Sequence, residues 1–139
     1  MTASTRPQLV TCSWSAYRRE FGTAVRISLG VPRVKLPDPR YTECQHYVYV
    51  AELAPRRAYW NALPDEFDRA YLAQLAQFAD SIDAKLAAIP PEHGALALLC
   101  WERGVSSEAD CHRRLAARFL GDRYGVEIVE MDPAPGGCR

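Results

Sequence analysis

The chain has almost no lysine: Lys35 and Lys85 stand against 15 arginines. It has no net charge either, because 17 basic and 17 acidic residues cancel. A neutral total gives no bulk attraction to a nucleic-acid backbone or to an anionic membrane surface. No long apolar run is present, so no membrane partner is expected, and no signal-peptide pattern heads the chain. None of the five cysteines forms a CxxC pair, which removes the usual pattern of a structural zinc knuckle. Their odd number and wide spacing argue against a disulfide framework. With no export signal, the expectation is a cytoplasmic protein with reduced thiols. No pattern specifies a cofactor, and the oligomeric state is open.

What is present is enough apolar sequence, 48% of 139 residues, for one domain with a core. The expected organisation is a flexible N-terminus over 1–7, a single domain over 8–131, and a flexible tail over 132–139. Charge is unevenly spread. Arg6 to Arg57 carries nine basic and four acidic residues, whereas Ala58 to Glu92 carries two basic and six acidic. The first third is therefore the better place for an anionic ligand, with a solvated mixed surface as the alternative.

Taken in order, Gln8–Ser13 reads as a strand, and Ser13 or Ser15 suits the cap of a short helix over 16–21 that Gly22 stops. Thr23–Leu29 alternates as a strand that places Arg26 and Ser28 on one face. Gly30 to Tyr41 is a proline-rich extended loop carrying Arg33, Lys35 and Arg40. Tyr47–Leu53 is a further strand signal. Tyr59 and Trp60 beside Arg56-Arg57 suit a lid over the core, or a stacking surface for a base. Phe67, Tyr71, Leu75, Phe78, Ile82, Leu86 and Ile89 keep helical spacing, which predicts one helix over 63–89 ended by Pro90-Pro91. Gly94–Trp101 is a continuous apolar run, the mark of a central strand covered on both faces. A last helix runs from about Ser107 or Asp110 to Arg123, and Val126–Met131 alternates as a strand near an edge.

Alternating strands and helices predict an α/β fold: one three-layer domain with a mostly parallel, Rossmann-like sheet of about five strands. Such sheets bind ligands beyond the carboxyl ends of their strands. That rim gathers Ser13, the 28–33 segment, the 52–56 segment and the stretch from Cys100 to Cys111.

LLCWE at 98–102, CHRRLAA at 111–117, VRISLGVPR at 25–33 and FDRAYLAQL at 67–75 together resemble the DUF488 family, small bacterial proteins of unknown function. The resemblance covers most of the chain in the family's order. It implies a compact α/β domain with the Cys-Glu and Cys-His-Arg motifs in its pocket, and it supplies no reaction. The N-terminal segment TCSWSAYRREFG departs from the family's pattern, and no role is carried over there.

The residues themselves allow several chemistries. A helix N-terminus with Arg113 or Arg114 in its first turn, approached by Arg26, Ser28 and Arg33, suits a phosphate, a carboxylate or a nucleic-acid backbone. The alternative is that Arg113 makes an internal ion pair, for example with Glu102 or Glu52. Cys111 in a first turn beside His112 suits an activated thiol, with Cys100 as a second. However, neighbouring helical residues point roughly 100° apart, and Cys111 shares a face with Leu115 and Phe119. A zinc or iron set from Cys100, Glu102, Cys111 and His112 has suitable residue types but matches no standard spacing. The leading expectation is an enzyme acting on a phosphate- or nucleotide-containing ligand. Cys100, Glu102, Cys111 and His112 are its candidate catalytic residues, and Arg26, Ser28, Arg33, Arg113 and Arg114 its candidate ligand-binding residues. A non-enzymatic nucleic-acid-binding module and a metal-binding protein are the alternatives.

Overall fold

The computed structural model describes residues 6–29, 47–100 and 112–132. Its central strand is β4 (Ala95–Cys100), with all six residues buried, as an unbroken apolar run requires. β1 (Gln8–Ser13) pairs along one side, from Gln8 opposite Ala95 to Ser13 opposite Cys100. β2 (Thr23–Arg26) pairs along the other, from Thr23 opposite Leu96 to Arg26 opposite Leu99. Two-residue strands close the edges: β3 (Val48–Tyr49) beside β2 and β5 (Val129–Glu130) beside β1. All pairings are parallel, and the order is β3-β2-β4-β1-β5, a single α/β domain.

The direction of each crossover explains which face it covers. From β3 to β4 and from β4 to β5 the chain moves the same way across the sheet, so right-handed connections fall on one face. These connections are α1 (Pro64–Gln77) and α2 (Ala79–Ala88), then α3 (His112–Tyr124). Leu9, Val25, Ile27, Leu96, Leu98 and Cys100 point to this helical face and pack with Tyr71, Leu75, Ile82, Leu115 and Leu120. From β1 to β2 the chain moves the opposite way, and its connection covers the second face. There Trp14 and Tyr17, with Phe21, pack on Val10, Cys12, Ala24, Ala97 and Leu99.

Local structure departs from the expected elements in several places, among them the strands expected over 23–29 and 126–131, which are confined to Thr23–Arg26 and Val129–Glu130. The helix expected over 63–89 is two helices, with Phe78 at φ −105°, ψ 17° between them. The apolar stripe survives the joint, because Tyr71, Leu75, Ile82 and Leu86 are all buried. The halves serve different neighbours: α1 lies on α3, while Arg123 holds α2 through Asp80 and Asp83. The strand expected over 47–53 pairs only at Val48–Tyr49. A 3₁₀ turn at Ala51–Leu53 then sends Leu53 into the core ahead of Pro55. The short helix expected over 16–21 is a 3₁₀ turn at Arg19–Phe21, while the Ser13 hydroxyl accepts the Ala16 N–H at 3.2 Å. Gly22 ends that turn at φ 130°, where an added Cβ would lie 2.5 Å from the Ala95 carbonyl oxygen.

The α2–α3 tie is electrostatic. Arg123 Nε donates to both Asp83 carboxylate oxygens, at 3.0 and 3.1 Å, and the Tyr124 hydroxyl donates to the same carboxylate at 2.5 Å. The Arg123 hydrogen bonds hold the Asp83 carboxyl below its ordinary 3.8, while burial and the Asp83 carboxylate push the Tyr124 phenol up. A depressed carboxyl contributes stability above its unfolded value and loses it as pH falls through the folded one. Denaturant melts from pH 6 down to pH 2 should therefore show stability falling below about pH 4, with a shallower fall in Asp83→Asn; identical slopes would refute the tie. Gly22→Ala should cost more than about 1 kcal/mol in the same assay at neutral pH.

Candidate functional site at the carboxyl rim

Parallel pairing brings the carboxyl ends of β1 and β4 side by side, at Ser13 and Cys100. Trp14, after β1, lies on the second face, and α3 lies on the helical face with its first described turn at this end. Arg113, in that turn, is wholly buried. Its Nε donates to Glu130 Oε1 at 2.8 Å and its Nη2 to Glu130 Oε2 at 3.0 Å, a two-pronged pairing of fork and carboxylate. Nη2 also lies 3.8 Å from Asp132 Oδ2, and Nη1 donates to Cys100 Sγ at 3.1 Å. One guanidinium thus joins α3 to β4 and to the end of β5.

Glu130 is supplied from further directions. The Thr11 hydroxyl donates to Oε1 at 2.8 Å, and the Asp132 N–H donates to Oε2 at 3.1 Å. Arg114 donates from Nη1 to the Thr11 hydroxyl oxygen at 3.0 Å and stands 3.6 Å from Glu130 Oε1. Thr11 and Glu130 are register partners on β1 and β5, so the sheet itself sets them together. Asp132, at the head of the expected tail, is buried here.

His112 is also buried, with its ring edge-on to Tyr71 at 5.4 Å. Its Nε2 sits 2.7 Å from the Ile27 carbonyl oxygen. A carbonyl only accepts, so Nε2 carries the hydrogen, and in the neutral ring the lone pair is on Nδ1.

Arg26 and Ser28 share a face, as their spacing requires, but it is the opposite face from α3. Arg26 alternates with Val25 and Ile27, which point to the helical side. Its Nε donates to the Ser28 carbonyl at 3.0 Å and its Nη2 to the Leu29 carbonyl at 2.5 Å, while the guanidinium lies 3.9 Å from the centre of the Tyr49 ring. The Ser28 hydroxyl accepts from Trp14 Nε1 at 3.3 Å. Cys100, His112, Arg113 and Arg114 therefore converge from the helical side, and Arg26 and Ser28 reach the rim from behind the sheet. Arg33, Glu102 and Cys111 lie outside the described residues, as does the 30–41 loop.

Arg113 makes an internal ion pair, with Glu130 and at longer range Asp132, while Glu102 lies outside the described residues. Glu52 instead accepts from Ser81 at 2.6 Å and Lys85 at 2.8 Å. Burial pushes the Glu52 carboxyl up, but these two hydrogen bonds outweigh it and leave the net shift downward. Tyr59 acts as a lid: its ring packs edge-on to Phe67 at 5.3 Å and its hydroxyl donates to Gln74. Glu130, Asp132 and Thr11 were not singled out from the sequence. The available signal was an acidic residue inside an alternating strand, in a chain whose Arg113-Arg114 pair needs counter-charges.

Among the described residues no group of three His, Cys, Asp or Glu side chains could hold a metal ion. Cys12 lies on the second face, where burial, with the Glu130 and Asp132 charges, pushes its thiol up to about 12. No helix among the described residues is long and apolar enough to cross a membrane. A groove of about 260 Å³ runs along α3, lined by Arg114, Arg118 and Gly121 opposite Val126, Glu127 and Ile128.

The fold and rim define a parallel-sheet α/β protein with chemistry-bearing side chains at the carboxyl end of its central strand. The chain belongs to the family described as domain of unknown function DUF488, which matches residues 13–120. No curated protein and no solved structure matches it. Removing the carboxylate of Glu130 takes away the two-pronged partner of the buried Arg113 charge. Glu130→Ala should cost about 3 kcal/mol of unfolding free energy by urea titration; a loss below about 1 kcal/mol would show the pair to be incidental.

Proposed function

We propose that the protein is an enzyme acting on a phosphate- or nucleotide-containing ligand bound over the carboxyl ends of β1 and β4. In this reading Cys100, Glu102, Cys111 and His112 stand at the reacting end. His112, oriented by its Nε2 contact with the Ile27 carbonyl, serves there as the acid–base group. Arg26, Ser28, Arg33 and Arg114 contact the ligand. Arg113 is reassigned from ligand binding to support, because three of its nitrogens already serve Cys100 and Glu130.

The observation that supports this reading is the topology at the rim. Trp14, after β1, and α3, after β4, lie on opposite faces beyond two adjacent parallel strands, the arrangement that opens a crevice in α/β sheets. In this reading the helix that follows β4 carries His112 and Arg114 toward the ligand, and its N-terminal dipole favours an anion.

The test is a thermal-shift panel with inorganic phosphate and nucleoside monophosphates against the matching nucleosides. At a hundredfold excess over Kd, a phosphate-bearing ligand should add about 2.7 kcal/mol to stability. The shift should shrink in Arg114→Ala and His112→Ala. No preference for phosphate over nucleoside would overturn the reading. Oligonucleotide binding that weakens steeply with salt, with no response to mononucleotides, would favour the nucleic-acid-binding module instead.

A further inference from the structure

β5 ends the sheet on the side away from β3, and among the described residues no strand lies beyond it. Its register fixes what it offers there. Thr11 pairs with Glu130, and the Thr11 carbonyl accepts the Met131 N–H at 2.7 Å, so Val129 and Met131 turn their backbone groups toward β1. In a parallel ladder the residue between them turns its N–H and C=O the other way. Glu130 therefore presents both at the open edge. Soluble proteins guard such edges with proline, lysine or other charges. The stretch 126–131 has no proline and no lysine, and the Glu130 charge is turned inward onto Arg113. Val129, paired with Val10 on the second face, is 43% exposed, and Val126 is 51% exposed. The groove beside this edge carries charge in a definite order. α3 starts at the carboxyl rim and β5 ends there, so Arg114 and Arg118 mark the rim end of the groove, and Asp122 and Glu127 the far end. A groove basic at one end and acidic at the other is complementary to itself under a two-fold rotation.

We propose that the β5 edge and this groove form a two-fold interface with a second copy of the chain. A second β5 runs antiparallel to the first, with the axis perpendicular to the sheet at Val129. It takes up the Glu130 N–H and C=O and continues the sheet across the axis. The two Val129 side chains meet on the second face as an apolar cross-strand pair. On the helical face the two α3 helices lie side by side in opposite directions. The Arg114–Arg118 half of each groove then faces the Asp122–Glu127 half of the other, so the same complementary contact is made twice.

The measurement is sedimentation velocity on the full chain over a range of about 1–100 µM. Wild type should approach twice the 15.6 kDa chain mass as its concentration rises. Arg118→Glu leaves the groove mostly acidic, and Asp122→Arg leaves it mostly basic. Each variant alone should dimerise about tenfold more weakly or worse, because like charges then meet across the axis. Mixed in equal amounts, the two should recover the dimer, since both halves of the interface then join opposite charges. That recovery also shows that both variants are folded. Val129→Lys should abolish the dimer with an unchanged far-UV circular dichroism spectrum, because a lysine on an edge strand blocks pairing. A wild type that stays monomeric throughout the range would overturn the proposal and leave the edge to a strand from a different protein. A dimer undiminished by Val129→Lys and by the charge reversals would place the interface elsewhere and overturn it equally, as would a mixture of the two charge variants that stays monomeric.

Discussion

The guanidinium of Arg113 carries a charge into the interior, between the end of β4, the first described turn of α3 and the end of β5. Burying a charge costs several kcal/mol unless its partners replace the lost water. Here the replacement is nearly complete: both Glu130 oxygens, the Cys100 sulfur and, at longer range, Asp132. These partners come from two distant parts of the chain, the end of β4 and the end of β5. The condition for burying Arg113 is therefore that β4, α3 and β5 are all in place. An edge strand of two residues has few ladder hydrogen bonds of its own, and this clamp is what fastens it to β1 and to the helix.

The same constraint shapes the rim. Because α3 is fixed through Arg113, its neighbours are fixed too: His112 against the Ile27 carbonyl and Tyr71, and Arg114 toward Thr11. Helix geometry turns one buried residue into a set of directions for the next two. The rim histidine thus meets the backbone just past β2, and the rim arginine meets β1. Such a scaffold holds functional groups in place more tightly than loop-borne residues allow.

Much of the fold was legible in the residues. The unbroken ALALLC run identified the central strand, because only a strand covered on both faces has no polar alternation. The spacing from Phe67 to Ile89 gave the buried stripe, though not the joint at Phe78, since a stripe continues through a small change of axis. The LLCWE and CHRRLAA motifs placed the chain in its family. Period-two spacing put Arg26 and Ser28 on a common face, but parity alone does not say which face. That depends on the direction of the β1-to-β2 crossover, which strand order decides. The partners of Arg113 were illegible for a related reason. Glu130 becomes its partner only through the register of β5 on β1, where Thr11 faces Glu130. Local sequence carries no record of that pairing, and of the acids expected for it Glu52 serves Ser81 and Lys85 instead.

The central claim is that Arg113 and Glu130 form one energetic unit on which the β4–α3–β5 corner depends. A double-mutant cycle tests it most directly, using the equilibrium unfolding of wild type, Arg113→Met, Glu130→Gln and the double variant. The account predicts a coupling energy of about 2 kcal/mol or more, with the double variant more stable than the sum of the single losses implies, because each single variant leaves one charge of the pair without the other and the double variant removes both. Additive losses, with coupling below about 0.5 kcal/mol, would contradict it.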